Sequence, residues 1–318
     1  MWGGRTTLAG RPRSEDVTDQ QSSHSEPRRL ADGGTTPAAT AGVVGDLLAR
    51  DRRSPDPALH AVGRDRTYSY FDLCNTAAKA GNVLRHVGVR PGDTVAVEPR
   101  RDPETALTAL GAWLIGARVT PRVATRVTET DPSPRALVAH TDAERAVTAP
   151  PGTSLVVFGG EPTTDGATHW ETEVWSENPA APPAPTGTDD PARGDGTTHR
   201  TLLDLATAVR ERAELDTRTA VVAAGDPASA RARAAGLLAP LAAGGTSVCL
   251  DGTAPSAPDE PAGAENKPVV DETDVTAAVA AAREVDGVER VVVAGDDGGT
   301  ARGDVDGWID LGALPPES

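Results

Sequence analysis

Two stretches of the sequence carry the same order of local patterns: helix, strand, helix, strand. In the first stretch, apolar residues recur at helical spacing from Leu73 to Val87, and "TVAVEP" follows as a short buried strand. Asp102 then caps a second helix with Pro103 at its first position, before the short strand in "ARVTP".

The second stretch begins at Arg200, where "RTLLDLATAVRERAEL" predicts an amphipathic helix and "TAVVAAG" a buried strand. Asp226 and Pro227 repeat the helix start, and this helix is predicted to run to Gly244 before the strand "TSVCL". Apolar strands that alternate with helices are typical of parallel sheets whose faces are covered by helices. We therefore predict an α/β fold of two related subdomains with mainly parallel sheets.

Changes of composition divide the chain into six predicted segments. The first 41 residues are polar, rich in Gly, Pro and Ser, and without periodicity, which predicts a disordered tail. The segments are the tail (1–41), a first α/β subdomain (42–178), a Pro/Gly/Asp-rich linker (179–197), a second α/β repeat (198–250), a second linker (251–268) and a C-terminal helix and strand (269–318).

The charge of the chain limits the classes of partner. The formal net charge is -16, so nucleic-acid phosphates and anionic membranes are repelled over most of the surface. The positive charge is almost all arginine, since Lys79 and Lys267 are the only lysines, a composition that favours a salt-loving source. No apolar run is long enough to span a bilayer, so we expect a soluble cytoplasmic protein. Cys74 and Cys249 match no metal or redox spacing, so we expect them to be two unpaired thiols in the core.

Two stretches resemble the adenylate-forming synthetase/ligase family, the AMP-binding enzymes that include acyl-CoA and acetyl-CoA synthetases. They are "RTYSYFDLCNTAAKAGNVLRHVGVRPGDTVAV…ETALTALGAWLIGARVTP" and "THRTLLDLATAVRERAEL…GLLAPLAAGGTSVCL". The resemblance implies the fold of the large N-terminal domain of acyl-CoA synthetases. It also implies activation of a carboxylic acid with ATP and Mg²⁺ to an acyl-adenylate, followed by transfer to coenzyme A.

The family's phosphate loop has the pattern Ser/Thr-Gly-Thr/Ser-Thr-Gly-x-Pro-Lys-Gly, with a His-Arg-Asn step soon after. Laid on "TGTDDPARGDGTTHR" without gaps, the pattern marks candidate ATP-phosphate residues and the later step. The matched positions are Thr186, Gly187 and Thr188 at the opening, Arg193 at the lysine, Gly194 at the last glycine, and His199 with Arg200 at the later step. In a second possible register, "DDPA" matches acidic residues that precede the loop strand, and the strand and loop are deleted.

In the first register the loop departs from the family at the positions that should meet phosphate. Asp189 and Asp190 stand where the family has threonine and glycine, and Ala192 stands where it has proline. Such a loop turns N–H groups and hydroxyls toward phosphate, so two carboxylates oppose the ligand. "NPAAPPAP" cannot form the central strand that supports the loop, because proline lacks the ladder donor. Both registers predict a weakened phosphate site.

Other motifs of the family are absent or only partly matched in this sequence. No Tyr-Gly-x-Thr-Glu step follows Leu250, and "TARGDVDGWIDLG" only echoes the ribose-binding segment, through the residues Arg302, Gly303, Asp304, Gly307 and Trp308. The C-terminal lysine that helps form the adenylate is not matched, since Lys267 lies in a Pro/Gly linker and is interpreted as a surface charge. We therefore predict no catalytic residue and no metal ligand.

Three further features have structural explanations. "VVVAGDDGGTARG" lacks dinucleotide-loop spacing and is interpreted as a surface turn. The histidines His140, His169 and His199 are expected at the surface or at helix caps, and Trp170 and Trp175 are expected to anchor a long loop onto the core.

Three hypotheses of function remain open at this point. The first is a non-catalytic homologue that binds or regulates, with a full-length ligase as a possible partner. The second is an active acid-CoA ligase, or one that a separately encoded C-terminal domain completes. The third is a decayed gene fragment.

Overall fold

The computed structural model describes residues 41–121, 133–180, 184–251, 270, 272–295 and 305–314. The predicted tail up to residue 40, Lys267 and the stretch 296–304 lie outside these ranges, so the predictions made for them are not addressed below. The strands are β1 (Pro57–Ala61), β2 (Arg66–Ser69), β3 (Thr94–Val97), β4 (Arg118–Pro121), β5 (Ala136–His140), β6 (Ser154–Phe158), β7 (Thr168–His169), β8 (Thr219–Ala223), β9 (Thr246–Cys249), β10 (Arg290–Gly295) and β11 (Gly307–Asp310).

Several of the helices lie where the sequence patterns predict one. The helices are α1 (Tyr70–His86), α2 (Pro103–Leu114), α3 (Thr141–Glu144), α4 (Trp170–Ser176), α5 (His199–Arg212), α6 (Ala230–Arg233), α7 (Ala239–Ala243) and α8 (Glu272–Arg283). A π-helical turn, Ala234–Leu238, joins α6 to α7. Asp102 and Pro103 occupy the predicted first positions of α2.

Two sheets form the framework. A five-stranded sheet has the order β4-β3-β5-β6-β7, and all of its pairings are parallel. A six-stranded sheet has the order β11-β10-β8-β9-β1-β2 and is parallel except between β1 and β2. The predicted α/β class with mainly parallel sheets is therefore confirmed.

Helices lie between the two sheets. One core cluster contains Val97 of β3, Leu110 of α2 and Val221 of β8, so it joins both sheets through the helical layer. The other face of the six-stranded sheet is covered by α8, whose Val275 and Val279 pack in a second cluster with strand residues. The central strands β8 and β10 are thus buried on both faces, which explains why their sequences are nearly continuous apolar runs.

Strand membership crosses the predicted subdomain boundary. β1 and β2 precede the five-stranded sheet in the chain, yet β1 pairs with β9, with Leu59 opposite Ser247. Local patterns define a strand but not the sheet that it joins, so this long-range pairing had no sequence signal. The domain boundaries themselves stay a prediction.

The helix predicted to begin at Asp226 begins later, so that bound is wrong. The Oδ1 atom of Asp226 accepts the N–H of Ala228 at 2.8 Å, which closes a turn ahead of the helix. Ser229 is the N-cap, and its hydroxyl accepts the N–H of Ala232. An Asp-Pro pair can start a turn as well as a helix, so the sequence pattern placed the start of this helix too early.

Close contact between α1 and α2 depends on Gly111. A Cβ atom at Gly111 would lie 2.5 Å from the Ala77 carbonyl oxygen and 2.6 Å from the Gly81 nitrogen, both backbone atoms. Helix propensity alone predicts that Gly111→Ala stabilises by about 1 kcal/mol. We expect overpacking to reverse that sign and to lower the free energy of unfolding by about 2 kcal/mol, measured by urea denaturation. Gly307→Ala, where a Cβ meets only ordinary contacts, is the control.

Candidate functional site

The candidate phosphate loop is two successive turns placed before α5. In the first turn, Asp190 N–H donates to the Gly187 carbonyl at 3.1 Å, and Gly187 N–H donates to Asp190 Oδ2 at 2.7 Å. In the second turn, the N–H groups of Ala192 and Arg193 both donate to the Thr197 carbonyl, at 2.8 and 3.1 Å. The backbone of the loop therefore bonds largely to itself.

The second turn is fixed to the edge of the five-stranded sheet. Val119 N–H donates to the Ala192 carbonyl at 2.9 Å, and Gly194 N–H donates to the Val119 carbonyl at 3.2 Å. The indole N–H of Trp113 donates to the same Ala192 carbonyl at 2.8 Å. Within the described residues 178–180 and 184–185 the proline-rich stretch forms no strand, but Trp113 and Val119 give the loop a support that the sequence did not indicate.

The five candidate phosphate residues lie at two separate places along β4. Thr186 lies against Gly116, just before the strand, where a Cβ on the glycine would be 2.9 Å from the threonine Oγ1. Gly194 lies against Thr120, inside the strand. The opening threonine and the last glycine thus contact different residues, Gly116 and Thr120.

The Arg193 guanidinium is engaged within the loop. Arg193 is 5% exposed, and its Nε donates to Asp195 Oδ2 at 3.0 Å while a terminal nitrogen lies 2.9 Å from the same oxygen. That terminal nitrogen also donates to the Ala228 carbonyl at 3.1 Å. The cation at the family's lysine position is therefore neutralised by a carboxylate two residues away.

Asp195 is held ionised by its partners. Its Oδ1 accepts the N–H of Thr197 at 3.0 Å and the hydroxyl of Thr197 at 2.7 Å. Partial burial acts to raise the pKa of Asp195, but the bonds from Thr197 and the Arg193 guanidinium outweigh it and hold the pKa below its ordinary value. At neutral pH the second turn thus contains a carboxylate where a phosphate would need a donor.

The residues of the later His-Arg step serve the helix and the core. The guanidinium of Arg200 pairs with the exposed Asp189, with Nε 2.7 Å from Oδ1. His199 is 1% exposed, and its Nδ1 accepts the N–H of Val44 at 3.3 Å. Burial lowers the pKa of His199 despite the nearby carboxylates of Asp190 and Asp46, so the ring is a neutral acceptor.

The other candidate side chains are divided between structural roles and the surface. His140 caps α3, as expected, by accepting the Asp142 N–H at 3.1 Å. Trp170 is buried and donates to Thr108 Oγ1 at 2.9 Å, which confirms it as an anchor. Trp175 is 87% exposed, so its side chain does not pack on the core and the same expectation is wrong for it. His199 is buried rather than at the surface.

The expectation for the two cysteines can be compared with the described part of the chain. Cys74 and Cys249 are both buried and unpaired, as predicted. Among the described residues, no group of three or more His, Cys, Asp or Glu side chains is placed to hold a metal ion. No helix in those ranges combines the length and apolar character that a membrane span requires.

Known proteins with a similar sequence or structure show which group of folds this architecture belongs to. Residues 49–192 match the family model described as AMP-binding enzyme, and no curated protein matches the sequence. Apo MatB from Rhodopseudomonas palustris is 16% identical with a TM-score of 0.56, over 80% of this chain and 49% of that chain. A benzoate CoA ligase from Burkholderia xenovorans LB400 is 20% identical with a TM-score of 0.57, over 79% and 55%.

A third solved structure is the anthranilate CoA ligase AuaEII in complex with anthranoyl-AMP, 17% identical with a TM-score of 0.58, over 79% of this chain and 55% of that chain. The chain thus spans about half the length of these proteins. Two mainly parallel sheets that enclose helices define the class of fold that it shares with them. Residues 49–192 therefore match the AMP-binding enzyme family, and the described chain has the fold of these ligases.

Proposed function

We propose that this chain is a family member that does not form an adenylate by itself and that acts as a binding or regulatory module. One observation carries the proposal: the Arg193 guanidinium, which stands at the family's lysine position, is bonded to Asp195 and to the Ala228 carbonyl. A polyphosphate would have to replace Asp195 at a nearly buried guanidinium. Breaking such a pair without an equal replacement is costly.

The electrostatics of the loop support the same proposal. Asp189, Asp190 and Asp195 put three carboxylates within seven residues, against Arg193 and the exposed Arg200. The Gly187 N–H, which the family pattern would turn toward phosphate, donates to Asp190 instead. An incoming triphosphate therefore meets net negative charge and occupied donors.

Calorimetric titration with Mg-ATP tests the proposal. We expect no saturable heat from the folded wild-type protein, because the loop donors are occupied. A double variant, Asp190→Gly with Asp195→Asn, releases Gly187 N–H and reduces the charge opposite Arg193. It should give saturable heat, with an affinity at least tenfold (about 1.4 kcal/mol) above the detection limit that the wild type does not reach. Asp204→Asn, an exposed charge removal on α5, is the matched control and should change nothing.

The opposite result would come from a working loop. Micromolar binding by the wild type that is lost in Arg193→Ala would overturn the proposal and favour an active acid-CoA ligase. Circular dichroism of each variant shows whether a missing signal reflects an unfolded protein.

A partner-completed ligase is the second candidate, and the fixation of the loop favours it. Trp113 and Val119 hold residues 192–194 at the sheet edge, as a loop that still served a site would require. In this case a full-length ligase or a separately encoded C-terminal domain would supply the missing groups. Acid-dependent exchange of pyrophosphate into ATP would then appear only when the partner is added.

A further inference from the structure

A small cavity lies apart from the loop, between the start of α2 and the α6 segment. Its volume is about 60 Å³, and residues of β1, β8 and β9 contribute to its lining. The charged lining comprises Arg100, Arg101, Asp102 and Arg233, and the apolar lining includes Leu59, Ala106 and Leu237. The Asp102 carboxylate is already paired with Arg100 and Arg64. A volume of this size holds one small ion with a few waters, since a single water needs about 10–15 Å³ on this scale.

Arg233 is the unbalanced charge in this cavity. It is 9% exposed, and the one hydrogen bond that its guanidinium makes among the described residues runs from a terminal nitrogen to the Pro227 carbonyl at 3.1 Å. No carboxylate of the described ranges lies within 4.0 Å of its guanidinium. Burial lowers the pKa of Arg233 to about 10, and Arg193 adds to the effect, so the group is still protonated at neutral pH.

Two neighbouring arginines, Arg100 and Arg193, have a carboxylate partner. Arg100 Nε lies 2.8 Å from Asp102 Oδ2, and Arg193 has Asp195. Arg101 donates to the Gly225 carbonyl at 2.9 Å. The hydroxyls near the cavity are engaged as well, since Thr105 donates to backbone carbonyls and Ser247 donates to the Gly236 carbonyl. Arg233 therefore brings one positive charge that no described side chain balances.

We propose that this cavity is a structural site for a small inorganic monoanion of the halide class, bound against Arg233. A buried charge is tolerated when it is paired, and a single monoanion balances a single guanidinium. A phosphate dianion would overcompensate that charge. The apolar walls offer few donors to a polyatomic anion, whereas a halide needs only the guanidinium N–H groups and a water or two. The proposal does not depend on whether the phosphate loop binds ATP.

Thermal unfolding at fixed potassium concentration tests the site, with chloride replacing gluconate, an anion too large for the cavity. We expect the Tm of the wild type to rise by about 3 °C for each tenfold increase of chloride above its dissociation constant. Arg233→Met should remove this dependence. It should also melt at the same temperature as the wild type, or higher, when chloride is absent, because it no longer buries an unbalanced charge.

Two variants and one direct measurement sharpen the result. Arg233→Lys keeps the charge and should retain a weaker dependence, while Arg231→Met, on the same helix but outside the cavity lining, should behave as the wild type. Crystals grown with bromide should show anomalous density beside Arg233. A wild type whose Tm is indifferent to chloride, a chloride effect that survives in Arg233→Met, or stabilisation by acetate but not by chloride would each overturn the proposal.

Discussion

Replacing Trp113 by alanine is expected to lower the free energy of unfolding by about 4 kcal/mol, the range measured for buried tryptophans. Trp113 is 1% exposed and lies in the core cluster that joins both sheets. The substitution leaves a large cavity and also removes the indole donor from the Ala192 carbonyl. Urea denaturation measures the loss, and faster amide exchange at Arg193 and Gly194 should accompany it, because their attachment to β4 is weakened.

Trp113→Phe separates the two contributions. It keeps most of the ring volume but deletes the N–H, so the cost should fall to about 2 kcal/mol, of which about 1 belongs to the hydrogen bond. The Ala192 carbonyl still accepts from Val119, which limits that cost. An alanine variant that loses less than about 1 kcal/mol would contradict the packing argument. Equal exchange rates at Gly194 in the wild type and the alanine variant would contradict the proposed anchoring of the loop.

The helices and strands were largely predictable because their signals are local. The apolar spacing from Leu73 to Val87 specifies the buried face of α1, and the buried runs of β8 and β9 read directly as strands. The membership of β1 in the six-stranded sheet was not predictable, since its partner β9 lies far along the chain. Pairing of this kind depends on long-range packing rather than on periodicity.

In the candidate site, too, the local features were predictable from the sequence and the long-range contacts were not. The opposition of Asp189 and Asp190 to phosphate was visible in the sequence, and Arg193 with Asp195 could have been recognised as a local pair across one glycine. The contact of Trp113 with Ala192 joins residues 79 positions apart and had no signal. Arg233 was equally hidden, because an arginine in a helix is ordinarily a surface charge.

The two buried ionic clusters near α2 differ in one respect that matters for function. Each carboxylate around Arg64 is paired with a guanidinium of the chain, whereas Arg233 has no carboxylate within 4.0 Å among the described residues. The first can be satisfied by the chain itself and so stabilises the fold. The second needs a counter-ion from outside the chain. Disrupting the first should therefore lower stability, whereas the second should bind an anion.

Replacing Arg64 by methionine is expected to cost about 3 kcal/mol of unfolding free energy, the low end for a broken buried pair, because the arginine side chain is itself 37% exposed. The guanidinium lies 3.3 Å from Asp102 Oδ1, 2.5 Å from Glu104 Oε1 and 3.3 Å from Asp251 Oδ2. These three carboxylates are at most 5% exposed, so the variant leaves buried negative charges together. Urea denaturation near neutral pH measures the loss.

The pH dependence of that loss identifies its cause. Burial raises the pKa of Glu104 and of Asp251, and Arg64 opposes the rise in both. Without Arg64 the folded-state pKa values rise further, so the variant's stability is retained at low pH and falls as pH increases through those values. The deficit relative to the wild type should therefore be smaller near pH 5 than at about pH 8. Arg66→Met, which removes an exposed arginine stacked 4.3 Å over the Tyr68 ring, should cost about 0.5–1 kcal/mol at both pH values. A deficit of Arg64→Met that does not change with pH would show that lost packing, rather than stranded carboxylates, causes it.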